Sequence, residues 1–365
     1  MNIDLKHVNS LPVRTWSWLD INDCTISETI SDIVAYKKHY IKSGHEFVQE
    51  NTIQDEIVLQ ELHTNIKTGM GTETEQFLTE NKNCGISIRI PKGRKLTEPI
   101  MLQYEMDDRN PTVIDVNHIV ADDYSDVTII ICYKTTSNDI AFHGGLTYLY
   151  AGKEATINLI QVQLMNEKAI HFNDIGILTR DEGKVNLIHA ELGAQRVING
   201  CMTDLQGKAS ELDIRTIYFG DKDRSLDFNY VVNHIGKQTK SELNVNGALL
   251  DESIKKLRGT IDFKKGAMGA IGHEGEYNLL FSPKIKNITA PLILCGEDNV
   301  EGKHATNSGR IDENKLFYMM SRGLDEISAK KLMIDAWFQP IIDNIPDQSL
   351  KDQIVEYVKE RLSYA

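Results

Sequence analysis

The chain has little positive charge, no paired cysteines and no long apolar run, and each shortage removes a class of function. Lys and Arg total 40 against 53 Asp and Glu, a formal net charge of -13. No basic face is on offer to a nucleic acid or to an anionic membrane surface; a charge of this sign serves solubility. The five cysteines, Cys24, Cys84, Cys132, Cys201 and Cys295, are scattered and form no Cys-x-x-Cys pair. A disulfide framework and a self-contained zinc or cluster site are both disfavoured. No apolar stretch approaches the roughly 20 residues of a membrane span. Residues 1–6 lack the basic-then-apolar order of a signal peptide, so the expected compartment is the cytoplasm. There is no Gly-x-x-x-x-Gly-Lys-Ser/Thr loop, no Gly-x-Ser-x-Gly elbow and no His-Glu-x-x-His. No ATP site of the P-loop kind and no familiar hydrolase or zinc signature is therefore expected in this chain.

What the chain does have is a change of period along its length. A hydrophobic content of 41% over 365 residues supports a real core and two or three domains. Residues 1–84 read as mostly helical. Thr25-Ile26-Ser27-Glu28 has the form of a capping box, which predicts a helix from Ile26 to about Ser43 ended by Gly44. Thr72 and Glu75 form a second box opening a short helix to about Asn81. Trp16 and Trp18 read as packing anchors of the first segment.

At Gly85 the period becomes two: Ile86, Ile88 and Ile90 alternate with Ser87, Arg89 and Pro91. From there to about residue 310 short strands alternate with polar or glycine corners. Examples run over 127–133, 155–164, 185–192, 212–219, 243–245 and 261–263. Gly-Lys recurs at Gly152-Lys153, Gly183-Lys184, Gly207-Lys208 and Gly236-Lys237, at intervals of 31, 24 and 29 residues. Such a spacing fits one coil of a parallel β-helix, each coil stacking on the last over a narrow apolar core. A β-sandwich also has many short strands. The near-absence of Asn-Gly and Asp-Gly hairpin dipeptides, apart from Asn199-Gly200 and Asn246-Gly247, favours the β-helix.

Residues 311–365 turn helical. Asp312 is placed to cap a helix from Glu313 to Arg322 closed by Gly323. Asp325 is placed to cap a second helix, which Pro340 bends or ends. A third carries Leu350, Ile354, Val358 and Leu362 at helical spacing. Three such short helices have little core of their own and must pack on the strand domain, on a partner, or on both.

The candidate chemistry gathers near this second joint. His304 is the only histidine after His273. It reads either as a loop histidine bonded locally or as a metal or cluster ligand at an interface, where neutral imidazole suits iron. Glu301 is a candidate second ligand or an orienting group. Cys295 reads as a small buried hydrophobe or as a further ligand. His273 and Glu274, in a glycine-rich segment, are expected in a loop. Asp213, Asp227 and Asp262 could stack on successive coils as in β-helix enzymes that act on polysaccharides.

Val300-Glu301-Gly302-Lys303-His304-Ala305-Thr306-Asn307-Ser308-Gly309-Arg310-Ile311-Asp312, followed by Leu316-Phe317-Tyr318-Met319-Met320-Ser321-Arg322-Gly323, resembles the C-terminal signature of the SufB/SufD family, nearer SufD. Ile86 to Gly93 with Glu98-Pro99-Ile100 is similar to the start of that family's β-helix, and Asn278-Leu279-Leu280-Phe281-Ser282 to a late coil. The resemblance implies a mainly β protein: a right-handed parallel β-helix over 85–310, flanked by small helical regions at 1–84 and 311–365. It implies a non-catalytic scaffold of the SUF iron–sulfur cluster assembly machine. Such a scaffold pairs with a SufB-type subunit, or with a second copy of itself, and docks a SufC-type ATPase through residues of about 311–362. Leu316, Phe317, Met319, Met320, Trp337 and Phe338 are the apolar candidates for that docking. His304 falls on the family's interface histidine, where a transient iron–sulfur cluster would be shared with the partner. No residue of the chain fixes whether a flavin binds the assembled complex. A polysaccharide-acting enzyme and a purely structural subunit are the other readings.

Overall fold

The computed structural model describes residues 1–15, 17–36, 40–41, 43, 45–50, 65–310 and 313–363. The chain opens with an antiparallel pair, β1 (Asn2–Val8) and β2 (Cys24–Thr29), and the short strands β3 (Tyr40–Ile41) and β4 (Val48–Glu50). Helix α1 (Thr72–Asn81) precedes a long run of strands. These are β5 (Ile86–Ile90), β6 (Ile100–Met106), β7 (Thr112–Ala121), β8 (Asp126–Thr135), β9 (Phe142–Ala151), β10 (Thr156–Leu164), β11 (Ile170–Thr179) and β12 (Lys184–Glu191). They continue as β13 (Arg196–Leu205), β14 (Glu211–Gly220), β15 (Ser225–His234), β16 (Lys240–Leu249), β17 (Ile254–Phe263), β18 (Ile271–Leu280), β19 (Lys286–Cys295) and β20 (Glu301–Arg310).

From β5 onward the strands fall into two sheets. Even strands lie side by side from β6 to β20 and odd strands from β5 to β19, every neighbouring pair parallel. β3 and β4 add one antiparallel strand each at the N-terminal end. This is a parallel β-solenoid, and one coil holds two strands. Residue Asp126 pairs with Thr156, Thr156 with Lys184, Lys184 with Glu211 and Glu211 with Lys240. The Gly-Lys pairs mark one corner of successive coils, where the chain crosses from an odd to an even strand. That corner turns on a residue in the left-handed region: Glu154, Glu182, Ala209 and Gln238, with φ of 51° to 59°. The glycines let coils stack closely; a Cβ at Gly207 would lie 1.9 Å from the carbonyl carbon of Arg180.

The inner core is a file of Ile, Val, Leu and Tyr from both sheets. Each outer face has its own cover. On the odd sheet, Ile3, Leu5, Ile26, Ile66, Met70 and Leu78 of the N-terminal region pack on residues such as Ile114, Phe142 and Phe172. After α2 (Glu313–Ser321), α3 (Glu326–Ile342) and α4 (Gln348–Ser363) cover the even sheet and bury Ile334, Phe338, Ile341, Leu350, Ile354, Val358 and Leu362 against Ile130, Ile160, Ile188 and Ile217. Strands covered on both faces, such as β7, β9 and β11, are buried along nearly their whole length.

The N-terminal region differs from expectation. No helix begins at Ile26: Cys24–Thr29 is a strand and residues 30–36 are not helical, while residues 37–39 and 42 of the expected helix lie outside the described residues. Ile26 pairs with Leu5 across β1–β2, and Glu28 reaches Arg196 on the solenoid, so β-branched residues and tertiary contacts win over the capping pattern. Gly44 and Trp16 lie outside the described residues. Trp18 is 78% exposed and anchors nothing. The helix at Thr72 forms, but Gly71 takes the cap position without a side-chain bond. Asp312 also lies outside the described residues. Asp325 caps α3 by accepting from the Ser328 amide at 2.7 Å, and the helix runs past Pro340 to Ile342. Asn199-Gly200 and Asn246-Gly247 sit inside strands.

Candidate functional site at the open end of the solenoid

β19 and β20 are the last strands of their sheets, so each leaves one ten-residue edge with no strand beside it among the described residues. β20 is exposed along almost its whole length, with only His304 and Gly309 half-buried. Unpaired edges of this length carry rows of free backbone donors and acceptors.

Strand alternation decides which side chains meet there. His304 stands beside Glu274 in the register of β20 on β18, with Thr306 beside Glu276 and Ser308 beside Asn278. Glu274, Glu276 and Asn278 are buried, which marks this row as the inner face. The Glu274 carboxylate occupies space that a side chain at position 259 would fill: a Cβ on Gly259 would lie 2.0 Å from Glu274 Oε1. His304 Nδ1 is 3.5 Å from Glu274 Oε2, and its Nε2 is 2.7 Å from the Thr306 hydroxyl. The adjacent Glu274 carboxylate raises the His304 pKa above the usual histidine range, against the opposing effect of partial burial.

Behind this pair lies a second charged group with no water access. The Lys255 ammonium pairs with Glu276, both fully buried. Lys255 Nζ also donates to Thr289 Oγ1 at 2.9 Å, while Glu276 accepts from Thr289 Oγ1 at 2.6 Å and from Asn278 Nδ2 at 2.8 Å. Burial pushes the lysine pKa down and Glu276 opposes that. Asn278 and Asn287 both donate to Ser308 Oγ, at 3.1 and 3.0 Å, linking the buried group to the last coil.

The three candidate ligands are not brought together. Glu301 is on the opposite face from His304, bonded to Lys303 at 2.5 Å and to His273 Nε2 at 3.2 Å, and Lys303 holds its carboxyl below the usual range. Cys295 is exposed at the far end of β19, level with Phe263. Among the described residues no three His, Cys, Asp or Glu side chains converge as metal ligands. His273 and Glu274 lie in strand β18 and not in a loop, and they point to opposite faces. The buried acids Glu274 and Glu276 were readable as alternating positions with Gly272 and Asn278, had the glycine-rich segment been taken as a strand.

The stacked-carboxylate arrangement is absent. Asp213 is on the even sheet, bonded to Arg215, whereas Asp227 and Asp262 are on the odd sheet, paired with Arg258 and Lys264. A cleft beside Asp213, about 370 Å³, is lined by Thr128, Asn158, Asn186, Arg215 and Pro346, on the outer side of the even sheet and away from His304.

The apolar candidates on the helices divide. Phe338 is 2% exposed against the even sheet, and Trp337 packs beside it with its indole N–H on the Tyr277 carbonyl at 3.1 Å. Phe338 is taken up by the fold, which corrects its assignment to a docking surface, while Trp337 is half-buried. By contrast, α2 (Glu313–Ser321) leaves Phe317 72%, Tyr318 58% and Met320 41% exposed, with Leu316 and Met319 half-buried. Leu324, Ile327 and Leu332 are exposed as well.

The class is thus a parallel β-solenoid with one open end, a half-buried histidine inside that end, and a helical module bearing an exposed apolar face. Comparison with known proteins gives it a family. Residues 104–337 match the model described as SUF system FeS cluster assembly, SufBD core domain, and the chain belongs to that family. It is 24% identical over 283 residues to the iron–sulfur cluster assembly protein SufD of Bacillus subtilis, covering 77% of this chain and 64% of that protein. It is 20% identical over 312 residues to SufD of Escherichia coli, covering 84% and 74%. A SufBD family protein of Synechocystis is 24% identical over 311 residues, covering 80% and 68%. The match thus spans under two thirds of the B. subtilis relative. This is a SufD-like member of the iron–sulfur cluster assembly family. No helix among the described residues is long and apolar enough to cross a membrane.

Proposed function

We propose that this chain is a non-catalytic scaffold that completes its open end by pairing with a second β-solenoid. The two free edges at β19 and β20 carry this reading: ten residues each, both at one end, with Ile293 and Ala305 exposed on them. A SufB-type subunit is the favoured partner, and a second copy of the chain is the alternative occupant. Main-chain pairing along exposed edges supplies affinity, and the side chains of the two coils supply specificity.

In that complex His304 faces the junction and contributes one ligand to a nascent iron–sulfur cluster, with the remaining ligands coming from the partner. A single imidazole cannot hold a cluster alone, which suits a shared and passing cargo. Binding requires neutral imidazole, so the His304–Glu274 contact makes cluster loading favour higher pH. The exposed apolar face of α2 is where a SufC-type ATPase docks, and the cytoplasm is where the complex works. Pairing is tested by light scattering of the chain with and without a SufB-type subunit. Ile293→Lys with Ala305→Lys should abolish association while leaving the circular dichroism spectrum unchanged. Undiminished association of the double variant would refute pairing through these edges.

A further inference from the structure

The middle coils of the solenoid carry polar side chains where neighbouring coils carry apolar ones. His143 of β9 and His171 of β11 are register neighbours on the inner face. His143 Nε2 lies 2.5 Å from Asp115 Oδ1, His143 Nδ1 lies 2.8 Å from His171 Nδ1, and His171 Nε2 lies 3.5 Å from Glu191 Oε2. All four residues are at most 1% exposed. The rings stack with centroids 4.7 Å apart. Tyr133 donates to Asp115 at 3.3 Å, Asn117 also donates to it, and Asn199 donates to Glu191 at 3.1 Å. His189 also lies close, 3.3 Å from the same Asn199 amide, and Cys84 and Tyr230 are further titratable neighbours of Asp115 and Glu191.

Counting protons along this file leaves little freedom. Asp115 accepts, so His143 carries its proton on Nε2 and presents a lone pair at Nδ1. Its contact with His171 at hydrogen-bond distance then requires a proton on His171 Nδ1. The remaining ring nitrogen of His171 faces a carboxylate, and a bare nitrogen there would be repelled. We propose that the centre of the solenoid is a proton-binding site, in which two imidazoles between two carboxylates hold one excess proton and pass it between their Nδ1 atoms. In that transfer the N–H bond at His171 Nδ1 breaks, one forms at His143 Nδ1, and the positive charge moves from one ring to the other with no other bond altered. Burial lowers the His143 pKa, and Asp115 opposes that. Burial works to raise the Glu191 pKa, but His171 and its other partners outweigh it and hold that carboxyl below its usual range, so it stays ionised. The ligand is a proton and not a metal, because the four groups lie in a file and no three His, Cys, Asp or Glu side chains surround one point among the described residues.

The test is nitrogen-15 spectroscopy of the full chain labelled at histidine. The wild-type protein should show scalar coupling between two Nδ1 nuclei, lost in His171→Gln. The wild-type spectrum suffices alone if that variant folds poorly. Two uncoupled rings, both neutral and protonated at Nε2, would overturn the site. So would a stoichiometric metal in the purified protein whose removal by a chelator shifts these resonances.

Discussion

Replacing Lys255 by methionine tests how the last coils are held together. The substitution keeps the length and apolar stem of the side chain but removes an ammonium that is fully buried against Glu276. The carboxylate left behind keeps two neutral donors, Thr289 Oγ1 and Asn278 Nδ2, and no counter-charge. Breaking a buried pair in this way costs about 3–5 kcal/mol. A solenoid is stabilised coil by coil, so the loss should be local. Native-state hydrogen exchange is the assay. Amides of β17 to β20 should exchange roughly two to three and a half orders of magnitude faster, since about 1.4 kcal/mol is tenfold. Amides of β9 to β13 should be unchanged. Adding Glu276→Leu should recover most of the protection, because replacing both members of a buried pair by apolar groups is often near neutral. Uniform acceleration throughout, or none in β17 to β20, would refute the argument.

Asp174 gives a pH signature. Burial raises its pKa to about 8 although the Met70 amide donates to it at 2.8 Å. Its folded value lies above the unfolded one, so stability is full below about pH 4 and is lost as pH rises towards about 8. Urea unfolding of Asp174→Asn should lack that slope between about pH 4 and 8; an identical slope would assign it to other groups. Phe317→Ala with Met320→Ala should abolish capture of a SufC-type ATPase and change stability by under about 1 kcal/mol, since both side chains are largely exposed. Wild-type capture would place the docking surface elsewhere.

The solenoid was legible because its half-exposed strands alternate and its corners carry Gly-Lys. Strands β7, β9 and β11 were not, because cover on both faces erases alternation. The strand at Cys24–Thr29 was hidden by a local capping pattern that pairing with β1 overrides. His304 was legible as a lone histidine beside a change of period. Its partner Glu274 was not, because the register of β20 on β18 sets that contact across 30 residues of chain, and Gly259 makes the room for it. The histidine file at the solenoid centre depends likewise on the register of β9 and β11, which no local pattern reports.

The most direct measurement is cluster content after anaerobic reconstitution with iron and sulfide in the presence of the SufB-type subunit and the ATPase. Wild-type chain and His304→Ala would be compared, with the size of each complex checked by light scattering. An intact complex that holds and transfers less cluster in the variant is the predicted result. Equal loading and transfer by the two complexes would contradict a ligand role for His304 at the open end.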